Sequence, residues 1–490
     1  MDALPPRQTP LAPDAAARLA ALEARAAADL AMLSYPERDW VQPLARAEGH
    51  VHDVVVVGAG QHGLAASFAL RLAAVRNIAV LDAAPEGAAG IWRRFARMRT
   101  LRTPKHVTGP ELGFASLSVR SWYEARHGEA AWEALGKIPR EDWHDYLHWL
   151  GVQLALPVAH GWRVTRIAPR DAAVLVVEAE AADGARRTLL ARHVVLATGM
   201  DGTGEWAVPA MVRDALPRER WAHTSEAIDF ARLAGRRVAV VGAGASAFDN
   251  AAEALEHGAA RLDLLARRVT LPRVNPNRWI EFAGFLNHFA DLPDATRWRY
   301  LRSLMEMSQP PPQESWDRCA IHPGFHVHTG APLTALAMQG DAIRLETPRG
   351  AFAADFLILG TGLVVDLARR PELAELAPHA ALWCDRYTPP PGEEHAALGA
   401  FPYLGPDLGF VPRTPEGAWV RRVRSVSYGS LASTISSAGI SMLRPTVERI
   451  ARGIVRDLFL EQAEADHDRL LAYDERELVS LHLASGGNLE

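Results

Sequence analysis

The chain has 490 residues, 49% hydrophobic and 23% charged, which places it among ordinary globular proteins and excludes disorder, collagen and coiled coil. At about 150 residues per domain, that length holds two or three domains with ample core. A net charge of −5 leaves no electrostatic claim on nucleic acid or on an anionic membrane surface.

The opening Met1-Asp-Ala-Leu-Pro-Pro6 has neither the basic stretch nor the apolar core of a secretory leader, and residues 1–10 read as loose. No apolar run reaches about 18 residues, so no spanning helix is expected and the chain reads as soluble and cytoplasmic. Residues 12–33 are alanine-rich and, after Leu11, carry Leu19, Leu22 and Leu30, a spacing that predicts an amphipathic helix docked on the body.

A sharper pattern begins at Asp53. Val54 to Val57 is an unbroken β-branched run, as expected for a strand buried on both faces. It leads into Gly58-Ala-Gly-Gln-His-Gly63, an apolar helical segment (Leu64 to Val75), and a second strand, Ile78 to Leu81, ending at Asp82. A lone GxGxxG is weak, and a nucleotide-free α/β turn is the competing reading. Strand, helix and a carboxylate some 20 residues on make it specific. Gly58 permits the tight turn, Gly60 lets the backbone approach a pyrophosphate, and Gly63 lets helix and strand pack closely. Gln61 and His62 share the helix N-terminus, whose free N–H groups suit a diphosphate, and Asp82 can accept from ribose hydroxyls.

Trp122, Trp132, Trp143 and Trp149 fall in a helical stretch and read first as core, with an aromatic substrate wall as the alternative. His144 and His148 sit at i, i+4 with no Glu between them, which favours a packed helix face over a metal pair. Arg163 to Val177 has β-rich halves about Pro169-Arg-Asp171, predicting a hairpin, and Val164 within it is counted among the cofactor-binding positions. Val194-Val-Leu-Ala-Thr-Gly199 is a strand ending in small residues, with Thr198 and Gly199 assigned to the cofactor.

The grammar then repeats: strand Arg237 to Val241, Gly242-Ala-Gly-Ala-Ser-Ala247, a helix through Leu255 and strand Leu262 to Leu265. Gly242, Gly244, Ser246 and Ala247 form the second turn. Its following strand ends in Ala266-Arg267-Arg268, where guanidinium suits the 2′-phosphate of NADPH. The competing reading is two more arginines in a chain whose only lysines are Lys105 and Lys137. About 50 residues follow Arg268, beginning Pro272-Arg-Val-Asn-Pro-Asn277 and carrying Arg278, Trp279, Trp298 and Trp316; this insert could form a lid over a substrate. His322, His326 and His328 lack an acidic or Cys partner at ligand spacing, so no metal site is expected. Cys319 and Cys384 could pair, yet they form no redox or zinc motif. Phe356-Leu-Ile-Leu-Gly-Thr-Gly362 is a further strand ending in small residues, and Ser437 to Leu460 reads as helical.

Two dinucleotide sites in one chain imply electron transfer between them, FAD at the carboxylate site and NADPH at the arginine site. The order of motifs from Asp53 to Arg452 resembles the class B flavin monooxygenases, which include flavin-containing, Baeyer–Villiger and N-hydroxylating enzymes. Gly90-Ile-Trp92 resembles the family's flavin-side Gly-x-Trp, so Gly90 and Trp92 join the cofactor set. Ala197-Thr-Gly199 resembles its hinge between domains, Gly242 to Asp249 with Arg267 its NADPH motif, and Gly360-Thr-Gly362 its return to the FAD domain, which adds Gly362. Two departures stand out. Pro217 and Glu219 occupy the Phe and Gly places of a Phe-x-Gly-x-x-x-His fingerprint that His223 and Thr224 complete, and Leu101-Arg-Thr-Pro-Lys105 lacks the Asn-x pair of the flavin-containing enzymes.

The resemblance implies an α/β protein with two Rossmann-like domains, a discontinuous FAD domain with an inserted NADPH domain, and an N-terminal helical extension. The boundaries expected are 1–50, 51–203, 204–350 and 351–490. It implies a monooxygenase that inserts one oxygen atom into a small organic substrate through a flavin peroxide, with Arg102 and Lys105 as polar groups near the flavin ring. A helix starting near Ser437-Ala-Gly439 would aim its positive end at the flavin. A flavin oxidase or reductase without oxygenation, and a non-catalytic FAD-binding protein, remain as alternatives. A disulfide reductase is excluded by the lack of a Cys pair. A homodimer is left open.

Overall fold

The computed structural model describes residues 8–478 apart from 34, 36, 37 and 108, together with the backbone of 481–482 and 488–489. The looseness expected of residues 1–7 lies outside the described residues.

Two mostly parallel sheets organise the molecule. The first runs in the order Val158–His160, Ile78–Asp82, Gly49–Val57, Arg186–Leu196, Leu175–Ala181, Trp162–Pro169. Val423–Ser425 joins it parallel to Arg186–Leu196, and Ala45–Arg46 pairs with Gly49–Val57. Val54, Val55 and Val56 are fully buried at its centre, as the β-branched run predicts. The predicted hairpin is present, Trp162–Pro169 against Leu175–Ala181.

The second sheet is parallel throughout, in the order Phe325–Thr329, Arg261–Ala266, Arg237–Val241, Phe356–Leu359, Trp221–His223. This corrects the boundary expected at residue 350. Phe356–Leu359 pairs with Arg237–Val241, so the strand before Gly360-Thr-Gly362 completes the second sheet and does not lie in the first. The chain returns only beyond Gly362. There Leu363–Val365 pairs antiparallel with Gly204–Trp206, so the outgoing and returning connections between the sheets hold one another as a two-stranded tether.

The N-terminal helix, Ala15–Met32, buries Leu22, Ala26 and Leu30 at four-residue spacing, one stripe of a helix. Leu19 packs beside them, whereas Leu11 is exposed. The stripe lands on the aromatic cluster of Trp122, Trp132, Trp143 and Trp149, so these tryptophans are core. Filling that cluster contributes on the order of 2–3 kcal/mol per large side chain.

The C-terminal helix spans Leu443–Leu471. It starts six residues after the expected Ser437 and ends beyond Leu460; Ser437–Gly439 is loop, so no helix N-terminus lies there. The insert after Arg268 is helical, with segments Pro276–Trp279, Ala283–His288, Asp294–Met307 and Gln313–Ala320. Cys319 is buried and Cys384 exposed, and both are free thiols, so the pairing left open does not form. Among the described residues no helix is long and apolar enough to cross a membrane.

Candidate active site at the two glycine turns

Each turn closes against the end of its neighbouring strand. Gly58 has φ +102, and a Cβ there would lie 2.4 Å from the Ala197 carbonyl oxygen. Gly242 has φ +118, and its Cβ would lie 2.2 Å from the Gly360 oxygen. Only glycine satisfies both the sign of φ and the approach. The two x-Thr-Gly motifs are therefore equivalent walls, one behind each turn.

In the first turn the helix Gln61–Leu72 begins at Gly60. Leu64 N–H bonds back to the Gly60 carbonyl, and the N–H groups of Gln61, His62 and Gly63 precede the first intrahelical acceptor. A Cβ on Gly60 would be 3.8 Å from Gly90 Cα, so Gly60 and Gly90 (φ +81) face each other as two bare backbones. Asp82 is buried; its Oδ2 accepts from Ala59 N–H at 2.6 Å and its Oδ1 from Ala84 N–H at 2.7 Å. The carboxylate thus fixes the turn while keeping lone pairs for a ribose. Val164 is buried in one cluster with Leu81, beside that carboxylate strand. His62 is buried with its Nε2 unpartnered, and burial pulls its imidazole down to about 4, so it is neutral. Thr198 Oγ1, next to Gly199 (φ +91), is also buried without a partner. Free helix N–H groups, facing glycines and two orphaned polar atoms fit a bound dinucleotide.

Trp92 is buried edge-on to Trp143, with ring centroids 6.5 Å apart. Trp143 Nε1 donates to Gln61 Oε1 at 3.2 Å, while Gln61 Nε2 donates to the Ala438 carbonyl at 2.9 Å. Gln61 therefore ties the turn to the loop before the C-terminal helix. The loop at Ser437–Gly439 does approach the first turn, though through a carbonyl and not a helix N-terminus.

The second turn is more open. The helix Ala245–Glu256 begins at Gly244, which is exposed with nothing within 4 Å of a built Cβ, and Ser246 is exposed beside it. Ala247 replaces the third glycine because Gly360 yields: a Cβ on Gly360 would meet Ala247 Cβ at 2.6 Å. Arg267 and Arg268 are exposed just past the strand Arg261–Ala266. Arg268 Nη1 reaches the Glu306 carbonyl at 3.2 Å, whereas among the described residues no hydrogen bond or ion pair engages Arg267. An open turn and a free guanidinium fit a nicotinamide dinucleotide bearing a 2′-phosphate. Gly362 (φ +80) accepts from Ala207 N–H at 2.9 Å, placing it in the tether between the sheets.

The two residues expected near the flavin ring both have protein partners. Arg102 Nη2 bonds Asp249 Oδ2 at 2.6 Å, and Asp249 lies on the helix of the second turn, where Ser315 Oγ holds its other oxygen at 2.5 Å. Arg102 is thus a strut from the flavin-side segment to the nicotinamide-side helix. Lys105 Nζ donates to the Trp132 and Glu133 carbonyls at 2.6 and 3.3 Å and sits 5.2 Å from the Trp132 ring centroid. It closes the C-terminus of the helix Glu129–Ala134, a favourable place for a cation, and none of these partners belongs to a glycine turn. Asp249 stood in the second turn's motif, but its partners are 147 and 66 residues away in sequence and no local signal joined them.

Thr100 Oγ1 to Glu314 (2.7 Å) and Arg99 to Glu256 (3.1 Å) reinforce the same junction. His144 Nε2 bonds the Gly87 carbonyl at 2.9 Å and His328 Nε2 meets Asp263 at 2.8 Å; among the described residues no cluster could hold a metal. His223 is buried with its ring 5.3 Å from Trp206 in the tether, and burial pulls its imidazole below its ordinary range.

Known proteins align with this arrangement. A model for L-lysine 6-monooxygenase/L-ornithine 5-monooxygenase matches residues 133–309, and an FAD-NAD(P)-binding model matches residues 55–201. The ornithine hydroxylase of Pseudomonas aeruginosa has a similar fold, with TM-score 0.64 at 18% identity, covering 83% of this chain and 100% of that one. The L-lysine 6-monooxygenase of Pseudomonas syringae gives TM-score 0.61 at 20% identity over 83% and 99%. The FAD-dependent urate hydroxylase of Xanthomonas campestris pv. campestris is 45% identical over 463 residues, 94% of this chain and 97% of its own. With a relative that similar along nearly the whole of both chains, and with two cradles built for FAD and a nicotinamide dinucleotide, the chain belongs to the class B flavin-dependent monooxygenases.

Proposed function

We propose that the protein is an FAD-dependent, NADPH-using enzyme that places one oxygen atom of dioxygen on a small organic molecule. Urate, named for the relative 45% identical, is the first candidate substrate. The observation that carries the reading is one stretch of chain, residues 90–102. Its Gly90 faces Gly60 of the first turn, and its Arg102 binds Asp249 on the helix of the second. With the Arg99–Glu256 and Thr100–Glu314 contacts beside it, this stretch ties the first turn to the helix of the second, and hydride transfer depends on how the two sites are held relative to one another.

Bound FAD would accept a hydride from the nicotinamide and activate dioxygen, chemistry that side chains cannot supply. The chain's tasks are positional. The first turn and Asp82 would hold the diphosphate and ribose of FAD, with Gly90, Val164 and Thr198 around them. Trp92 and Trp143, both buried, keep water from the flavin side of the turn. Gly242, Gly244 and Ser246 would hold the second diphosphate, and Arg267 the 2′-phosphate.

The test is a turnover experiment with isotopically labelled dioxygen, NADPH and urate. One labelled oxygen atom in the product per NADPH consumed is expected. Hydrogen peroxide equal to the NADPH consumed, with no labelled product from urate or from amines, sulfides, ketones and amino acids, would show an oxidase instead.

A further inference from the structure

Four arginines of the described residues are buried, and each meets a carboxylate: Arg192 with Asp53, Arg297 with Asp294, Arg318 with Glu253, and Arg424 with Asp407. Arg449, half-buried, departs from that pattern. It projects from the C-terminal helix toward the loop before it, where Nη2 donates to Ser436 Oγ at 2.7 Å and the Thr434 carbonyl at 3.3 Å. Its Nε and Nη1 are buried without any acceptor, and among the described residues no carboxylate lies within ion-pair distance. Guanidinium has five N–H donors, so three are unused. A desolvated cation left that way is costly unless an anion completes it. Burial pulls this guanidinium down to about 10, and the carboxylate that acts on it, Asp291, does so from the helical insert.

The surroundings indicate which anion. Ser436 belongs to the loop whose Ala438 carbonyl meets Gln61 of the first turn, so Arg449 lies one loop away from the flavin cradle. The same loop and the start of the C-terminal helix, at Ile435 and Met442, pack in an aromatic cluster with Phe289 and Trp298 of the insert and with Trp383 and Phe401. Ile435 has φ +54, a left-handed conformation that a β-branched residue adopts only where its surroundings impose it. A packed aromatic cluster, a constrained loop and one guanidinium with unused N–H groups together suit a flat ring that carries negative charge.

We infer that Arg449 is a substrate-binding residue, its unused N–H groups receiving the oxyanion of a planar anionic heterocycle seated against that aromatic cluster between the insert and the C-terminal helix. This rests on the hydroxylase reading above and names the group that recognises its substrate.

The test is equilibrium binding of urate to the oxidised holoenzyme, followed by the flavin absorbance. Arg449→Gln should weaken urate binding about 30-fold, the loss of a charge-assisted contact worth about 2 kcal/mol. Flavin content and the rate of flavin reduction by NADPH without urate should not change, and Arg449→Lys should recover part of the affinity. Equal urate affinity in wild type and Arg449→Gln would overturn the inference, as would loss of flavin with urate affinity intact. Should Arg449→Gln not fold, the wild-type enzyme decides: urate should bind at least about 10-fold more tightly than neutral hypoxanthine, and equal affinities would overturn the assignment. Wild-type binding without a labelled product would defeat the hydroxylase reading and leave the Arg449 measurement decisive; no binding by the wild type would defeat both.

Discussion

The two glycine turns share one geometry and differ in exposure. Each begins with a glycine of positive φ pressed against the carbonyl behind a neighbouring x-Thr-Gly. At the first, Gln61 and His62 are buried, Asp82 is locked by two backbone N–H groups, and tryptophans close the side. At the second, Gly244, Ser246 and Arg267 are exposed, and a Cβ built on Gly244 meets nothing within 4 Å. The difference teaches what each site is for. A cofactor that stays through many turnovers gains from a closed cradle, whereas one that enters and leaves each cycle needs an open one.

Steric demand is the largest contrast between them. A Cβ on Gly63 would lie 1.7 Å from the Gly58 oxygen, a backbone atom with no freedom to move. Gly63→Ala should therefore destabilise by about 4 kcal/mol or more and abolish FAD retention. Ala247→Gly in the matching place should cost no more than about 1 kcal/mol and leave FAD bound, since Gly360 already provides the clearance there. Thermal unfolding and flavin content of the two variants check this, and equal effects would break the comparison.

Burial of His62 gives the next effect. Its imidazole falls from 6.5 when unfolded to about 4 in the fold. The folded state binds fewer protons, so the stability that neutral His62 preserves is present above pH 6.5 and is lost as pH falls toward about 4. The loss should reach roughly 3 kcal/mol at its lower end. Denaturant unfolding across that range should show a shallower decline in His62→Gln than in wild type. An identical decline would mean that His62 is not the group responsible.

Arg267 gives the smallest effect and the most selective one. Removing its free guanidinium in Arg267→Ala should raise KM for NADPH about 30-fold, about 2 kcal/mol, while KM for NADH stays within about twofold. Steady-state kinetics with both nucleotides check it. An equal change for both would place the 2′-phosphate elsewhere.

Much of this was legible in the chain itself. Glycine turns are readable because each residue's requirement is local: φ at Gly58 and Gly242, bare backbone at Gly60, a carboxylate at the end of the next strand. The helix Ala15–Met32 and the hairpin at Pro169 were likewise written in local periodicity and turn chemistry. Lys105 shows the opposite case. Its scarcity suggested a role at the flavin, yet its partners are carbonyls of a helix end that only the folded chain brings within reach. The Phe356–Leu359 strand looked the same whichever sheet it joined, because a buried parallel strand has the same composition in either.

By itself, then, the sequence determined two nucleotide folds and the order of the parts, since these rest on residues near one another in the chain. Tertiary structure alone decided that Arg102 spans the two sites, that Gln61 holds the Ala438 loop and that Arg449 keeps buried N–H groups without an acceptor among the described residues. In a chain rich in arginine, one guanidinium is distinguished from another only by what surrounds it. That surrounding is assembled from segments hundreds of residues apart, and no local pattern records it.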